Sequence, residues 1–187
     1  MSKTKISIIL GCMFSGKSTE LVRRASRYRA MGISTLIINH INDTRTGLSV
    51  QTHSGTKLRA IKLDRLMTLF EQNSNLGNIC GVLTVIAIDE AHFFPDLLEF
   101  VKEVEKYNNK ILIISGLDGD YKREPIGDIL KLIPLCDDVV KLKALDMVDR
   151  DGSEAIFSKR IVKGEDQILV GAQESYIAVS RKNYLNK

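Results

Sequence analysis

Two hydrophobic rhythms alternate along this chain as far as about residue 145. One is the short unbroken apolar run: "KISIIL" at 5–10, "STLIIN" at 34–39, "VLTVIAI" at 82–88 and "KILIISG" at 110–116. Runs of that length, rich in β-branched residues, predict strands buried on both faces, as in a parallel sheet. The other rhythm spaces apolar residues three or four apart. It predicts a helix over 18–31, with Leu21, Val22, Ala25, Tyr28 and Met31 on one face and Gly32 as its stop. Further helices are predicted over 63–72, after Pro95 with Leu97, Leu98, Val101 and Val104 inward, and near 126–133, followed by a strand at 138–144. Strand and helix in alternation give an α/β fold, a doubly wound parallel sheet with flanking helices. After about residue 145 the apolar pieces become short and the sequence polar, so 1–145 is expected as a nucleotide-binding α/β domain and 146–187 as a small β-rich appendage.

Composition narrows this picture only a little. With 187 residues, 44% hydrophobic and 27% charged, the chain has the profile of a globular protein of one domain plus an appendage. No apolar run approaches the roughly 18 residues that would cross a bilayer. The apolar start after Lys3 and Lys5 is too short for a leader and continues directly into "SGKST", so a cytoplasmic protein without membrane contact is expected. Cys12, Cys80 and Cys136 form no C-x-x-C pair and read as free thiols. The net charge of +4 is modest, and the cluster of Arg23, Arg24, Arg27 and Arg29 reads as a solvated helix face, so no nucleic-acid partner is expected.

The first chemical signal is "GCMFSGKST" at 11–19. Gly11, Cys12, Met13, Phe14, Ser15, Gly16, Lys17 and Ser18 fulfil G-x-x-x-x-G-K-S between a predicted strand and a predicted helix, the context a phosphate loop requires. Backbone N–H groups and the helix N-terminus attract phosphate, Lys17 reaches the outer phosphates, and the Ser18 hydroxyl is a ligand for Mg²⁺. The second signal is "VIAIDEAHFF" at 85–94. Asp89 falls at the carboxyl end of a buried strand, where ligands bind in open α/β sheets, and is suited to the Mg²⁺ shell. Glu90 beside it is a candidate general base, toward water in an ATPase or toward a substrate hydroxyl in a kinase.

Asp89, Glu90, Ala91 and His92 also spell the signature of a helicase class. Such helicases clamp ATP between two nucleotide-fold domains, and fewer than a hundred residues follow Asp89 here, most of them completing the first sheet. On that length, and with no Q-R-x-G-R-type segment after Asp89, a helicase is not expected. An ATPase that remodels a macromolecule and a nucleotide-binding regulator without catalysis stand as rivals to a kinase.

Six segments in order decide among these: "GCMFSGKSTEL", "DTR" at 43–45, "IDEAHFF" at 88–94, "GLDGDYKREP" at 116–125, "FSKR" at 157–160 and "GAQESY" at 171–176. Together they resemble the type II thymidine kinases, from about residue 5 to the C-terminus. The resemblance implies a RecA-like P-loop sheet with a β-rich lasso, and transfer of the γ-phosphate of Mg²⁺-bound ATP to the 5′-hydroxyl of thymidine. It implies Glu90 as catalytic base. It places ATP on residues 11–18, on Asp43, Thr44 and Arg45, and on Asp89, Glu90, Ala91 and His92. It places the nucleoside on Met13, Phe93, Leu117, Tyr121, Gln167, Ile168, Leu169, Val170, Gly171 and Tyr176. It also implies a homotetramer inhibited by thymidine triphosphate.

The chain departs from that family where many members bind structural zinc through four cysteines. The aligned residues are Asp146, Asp149, Ser180 and Asn183. Such oxygen ligands are poor for tetrahedral zinc, so no zinc is expected and hydrogen bonds are expected across the same junction. Cys12 replaces a proline usual in the loop, and His92 stands where Gln is common, with a structural role behind Glu90 expected for it.

Overall fold

The structure, a computed structural model, describes residues 3–43, 49–51, 57–71, 79–162 and 175–186. The elements in order are β1 (Lys5–Gly11), α1 (Lys17–Ala30), β2 (Thr35–His40), β3 (Ser49–Gln51), β4 (Lys57–Arg59), β5 (Ile61–Leu63), α2 (Ile79–Val82), β6 (Val85–Ile88), α3 (Leu97–Val104), β7 (Ile111–Leu117) and β8 (Asp138–Leu142). Six of these strands form one parallel sheet in the order β5-β2-β6-β7-β1-β8, and β3 and β4 form a separate antiparallel pair.

The two faces of the sheet sort the side chains of each strand by alternation. Ile9, Ile37, Val85, Ala87 and Ile113 pack against Leu21, Val22 and Ala25 of α1. Ile8, Leu10, Ile38, Ile86, Ile88, Leu112 and Ile114 face the other way, toward Leu97, Phe100, Val101 and Val104 of α3. Both faces are therefore covered, as the unbroken apolar runs predict, and each fully buried aliphatic side chain contributes roughly 1.5–3 kcal/mol. Arg23 and Arg24 of α1 are ion-paired with Glu20, and Arg24 also with Asp138, which accounts for part of the basic cluster locally. The three cysteines are free. Among the described residues no helix is long and apolar enough to cross a membrane.

Three predicted elements differ from those observed. Instead of a helix over 63–72, the chain continues β5 and then makes a single 3-10 turn at Met67–Leu69. The buried carboxylate of Asp96 accepts hydrogen bonds from the Leu66 and Met67 N–H groups at 3.1 and 2.9 Å, a side-chain cap that replaces helical partners. The segment near 126–133 is a 3-10 run, Ile129–Leu135, because Pro134 removes a donor and disfavours α conformation before it. The strand expected from 82 begins at Val85, since Lys110 Nζ donates to the carbonyls of Cys80, Gly81 and Leu83 and holds a turn ahead of it.

Beyond β8 come β9 (Ala144–Leu145), β10 (Glu154–Ala155), β11 (Phe157–Arg160), β12 (Tyr176–Val179) and α4 (Arg181–Leu185). Strand β9 pairs with β10 and β11 with β12, both antiparallel. The residues aligned with zinc ligands meet here through hydrogen bonds. Asp146, 3% exposed, accepts from the N–H groups of Val148, Asp149 and Ser180 and from Asn183 Nδ2. Ser180 caps α4 by accepting from the Asn183 N–H, and Lys182 pairs with Asp149 at 3.1 Å. Burial alone raises the pKa of Asp146, but the hydrogen bonds from Ser180, Asp149 and Asn183 outweigh it and hold the carboxyl well below its ordinary value of 3.8.

A carboxylate that gathers several donors is costly to remove, because the donors stay buried. Asp146→Ala is expected to lower stability by about 2–4 kcal/mol in urea unfolding, against under about 1 kcal/mol for the half-exposed partner change Asp149→Ala. The depressed folded pKa also fixes a sign. The stabilisation is complete above the unfolded value near 3.8 and is lost as pH falls below it toward the folded value. The wild-type protein should therefore lose stability more steeply than Asp146→Ala on acidification below about pH 4, as read from unfolding midpoints.

Candidate functional site

The site lies at the carboxyl edge of the sheet, where β1, β6 and β7 end in Gly11, Ile88 and Leu117. The loop from β1 to α1 approaches its neighbours so closely that a Cβ on Gly11 would stand 2.5 Å from the Leu142 carbonyl oxygen. Gly16, with φ of 83°, turns the chain into α1, and no side chain caps the helix. Phe14 also has a positive φ of 64°, as a loop curled around a ligand requires. Lys17 is 8% exposed and its ammonium donates to the Cys12 carbonyl at 2.6 Å. Burial lowers its pKa, opposed by the charges of Glu90, Cys12, Asp89 and Asp118. The charges of Asp89 and Glu90 thus act on the Lys17 ammonium. The Ser15 hydroxyl is buried and has no hydrogen-bond partner among the described residues, a donor suited to an incoming oxyanion.

A cavity of about 490 Å³ opens beside this loop, lined by Phe14, Ser15, Gly16, Thr19, Glu20 and Leu142. Its size falls among small-molecule sites.

Asp89 is 2% exposed and accepts from Ser115 Oγ on β7 at 2.5 Å and from the Glu90 N–H at 3.1 Å. Glu90 adopts the left-handed region, φ 50° and ψ 40°, before a 3-10 turn through Ala91, His92 and Phe93. A non-glycine residue there carries strain of order 1–3 kcal/mol. His92 Nε2 lies 3.6 Å from Glu90 Oε2, and His92 Nδ1 accepts from the Leu117 N–H at 3.2 Å. The Phe93 ring packs against the His92 and His40 rings at centroid distances of 4.3 and 5.4 Å.

Asp43 is buried, with its carboxylate accepting from Asn39 Nδ2 at 2.7 Å and its carbonyl from Lys62 Nζ. Thr44 and Arg45 lie outside the described residues, as do Gln167, Ile168, Leu169, Val170 and Gly171. Tyr176 and Tyr121 are joined by Arg160. Its guanidinium stands 4.0 Å from the Tyr121 ring centroid and donates to the Tyr176 hydroxyl at 2.6 and 3.2 Å. Tyr184 Oη donates to the Tyr121 carbonyl at 2.7 Å. The phosphate loop reaches the same small strands: Met13 N–H donates to Ser158 Oγ at 3.0 Å, and Cys12 Sγ to the Ala155 carbonyl at 3.5 Å.

Ser115, which bonds Asp89, was not singled out in the sequence, and Ser158 and Arg160 were singled out only as part of "FSKR", without a role of their own. A serine inside the apolar run "KILIISG", fully buried, was the available signal for Ser115. The hydroxyl of Ser18 and the buried carboxylate of Asp89 are hard oxygen donors at one edge, a donor set that fits Mg²⁺.

Similarity to known proteins spans the chain. Residues 4–184 match the family described as Thymidine kinase. The chain is 38% identical over 187 residues to the thymidine kinase of raccoon poxvirus, covering 100% of both. It is 38% identical over 186 residues to the thymidine kinases of vaccinia virus (strain Western Reserve) and monkeypox virus, covering 100% of this chain and 99% of each relative.

The left-handed backbone at Glu90 reverses an ordinary preference. Glycine is normally less stable than alanine within structure, but at this φ the penalty falls on alanine. Glu90→Gly is expected to be more stable than Glu90→Ala by about 1 kcal/mol, measured by chemical unfolding. Equal or inverted stabilities would contradict the strain at this residue.

Proposed function

The chain belongs to the thymidine kinase family, and on that premise we propose that it transfers the γ-phosphoryl group of ATP to the 5′-hydroxyl of thymidine, giving thymidine monophosphate and ADP. The observation that carries this is the curled loop between β1 and α1, with Lys17 buried at the start of α1 and a buried Ser15 hydroxyl without a hydrogen-bond partner among the described residues, at the same sheet edge where Asp89 and Glu90 follow β6. The triphosphate takes the curled backbone of residues 11–18, and the adjoining cavity takes the adenosine end. Lys17 exchanges the Cys12 carbonyl for phosphate oxygens, which suits a buried ammonium better than a neutral acceptor does.

Glu90 accepts the 5′-hydroxyl proton as the 5′-oxygen bonds to the γ-phosphorus. The bond from that phosphorus to the β–γ bridging oxygen breaks, and its electron pair leaves with ADP. Such a transfer asks the protein mainly for alignment and charge stabilisation. Mg²⁺, held by Ser18 and Asp89, would neutralise charge on the phosphates. Tyr121 and Tyr176, tied by Arg160, supply flat surfaces for a planar base. We extend the proposal, on the resemblance alone, to a cytoplasmic homotetramer inhibited by thymidine triphosphate, without zinc.

The test is phosphoryl transfer from γ-labelled ATP with Mg²⁺ to thymidine, to deoxycytidine, and with no nucleoside. Label is expected in thymidine monophosphate alone. Glu90→Gln should reduce the rate by about 10²–10⁴-fold, and Lys17→Met should abolish transfer. ATP hydrolysis at equal rates with and without thymidine would overturn the proposal in favour of an ATPase.

A further inference from the structure

The His92 ring sits in a space built for it. It is 1% exposed in its side chain. A Cβ on Gly116 would stand 3.0 Å from His92 Nδ1 and 2.6 Å from Ile129 Cδ1, and one on Gly127 would overlap the His92 carbonyl. Two glycines therefore leave room for this residue, one of them at a positive φ of 55°. The Phe93 ring packs against one side.

Within that space the chemistry of the ring is fixed. Nδ1 accepts from the Leu117 backbone N–H at 3.2 Å, so it carries a lone pair, and the neutral ring bears its proton on Nε2. Nε2 faces Glu90 Oε2 at 3.6 Å, just beyond hydrogen-bond length. Catalytic hydrogen bonds are often long before substrate binds and tighten in the complex. Glu90 itself has its backbone in the left-handed region, with φ 50° and ψ 40°.

We propose that His92 is a positioning residue for Glu90: its Nε2–H holds one carboxylate oxygen, while its Nδ1 anchors the ring to Leu117 at the end of β7. This rests on the kinase reading above and goes further, because it ties the base to a residue of the proposed nucleoside wall. A shift of Leu117 on nucleoside binding then passes through one rigid ring to the carboxylate that takes the proton.

Two amide substitutions separate the two ends of the ring. The His92→Asn amide reaches only the place of Nδ1, so it keeps the acceptor for Leu117 and loses the donor to Glu90. The His92→Gln amide reaches the place of Nε2 and keeps the donor. The two variants are expected to separate in kcat. His92→Asn loses about tenfold or more in kcat, with KM for thymidine and ATP within about threefold, and unfolds at lower denaturant because the smaller side chain leaves part of the ring's space empty. His92→Gln keeps kcat within about threefold and unfolds at lower denaturant. In a Glu90→Gln background the Asn substitution should cost less than about threefold, because its effect passes through the carboxylate. A fully active His92→Asn, or an equal loss in both backgrounds, overturns the positioning role. Absence of thymidine phosphorylation in the wild-type protein would instead defeat the kinase reading, so the two failures are distinguishable.

Discussion

The ammonium of Lys17 is a positive charge buried at the end of a parallel sheet, and a charge so placed must be paired. Its position follows from the sheet. Strand β1 delivers Gly11 between β7 and β8, and α1 starts at once behind it, so the lysine at the start of that helix has nowhere to go but the carboxyl edge. The acids whose charges act on it follow the ends of β6 and β7. Asp89 is in turn fixed by Ser115 of β7, the strand that separates the phosphate-loop strand from its own. A two-strand spacing bridged by one serine hydroxyl thus sets where cation and acids stand relative to each other.

The small strands after β8 are part of the same construction rather than a separate accessory. Cys12 and Met13 of the phosphate loop bond to Ala155 and Ser158, and Arg160 carries the contact onward to Tyr121 and Tyr176. These strands are too short to hold a core of their own. The Asp146 carboxylate compensates by collecting donors from its own turn and from the start of α4. The junction is thus closed by an anion and hydrogen bonds at the positions where the resembling family often uses thiolates, and its strength depends on carboxylate ionisation.

The parallel sheet, α1 and the places of Gly16, Lys17 and Asp89 at strand and helix ends were legible because they follow from patterns that burial enforces: unbroken apolar runs, a helical stripe, and a glycine–lysine motif at a strand–helix joint. The helix expected over 63–72 was not there because Leu66 and Leu69 have helical spacing while a distant carboxylate, Asp96, takes the N–H groups a helix would need. No local pattern contains that competitor. Arg160 was hidden for a similar reason, since an arginine near the end of "FSKR" acquires meaning only when β11 and β12 pair and set it across from Tyr176. His92 was legible as a neighbour of Glu90, but which of its nitrogens carries the proton depends on the end of β7, far along the chain.

The central claim is geometric: one edge of the sheet places a nucleoside hydroxyl between Glu90 and the γ-phosphate. The most direct measurement is a crystal structure with Mg²⁺, thymidine and a non-hydrolysable ATP analogue. The account predicts the triphosphate within the backbone of residues 11–18, Lys17 Nζ moved from the Cys12 carbonyl onto phosphate, and the Glu90 carboxylate within hydrogen-bond distance of the 5′-oxygen. Thymidine bound away from Tyr121 and Tyr176, or its 5′-oxygen out of reach of Glu90, would contradict it.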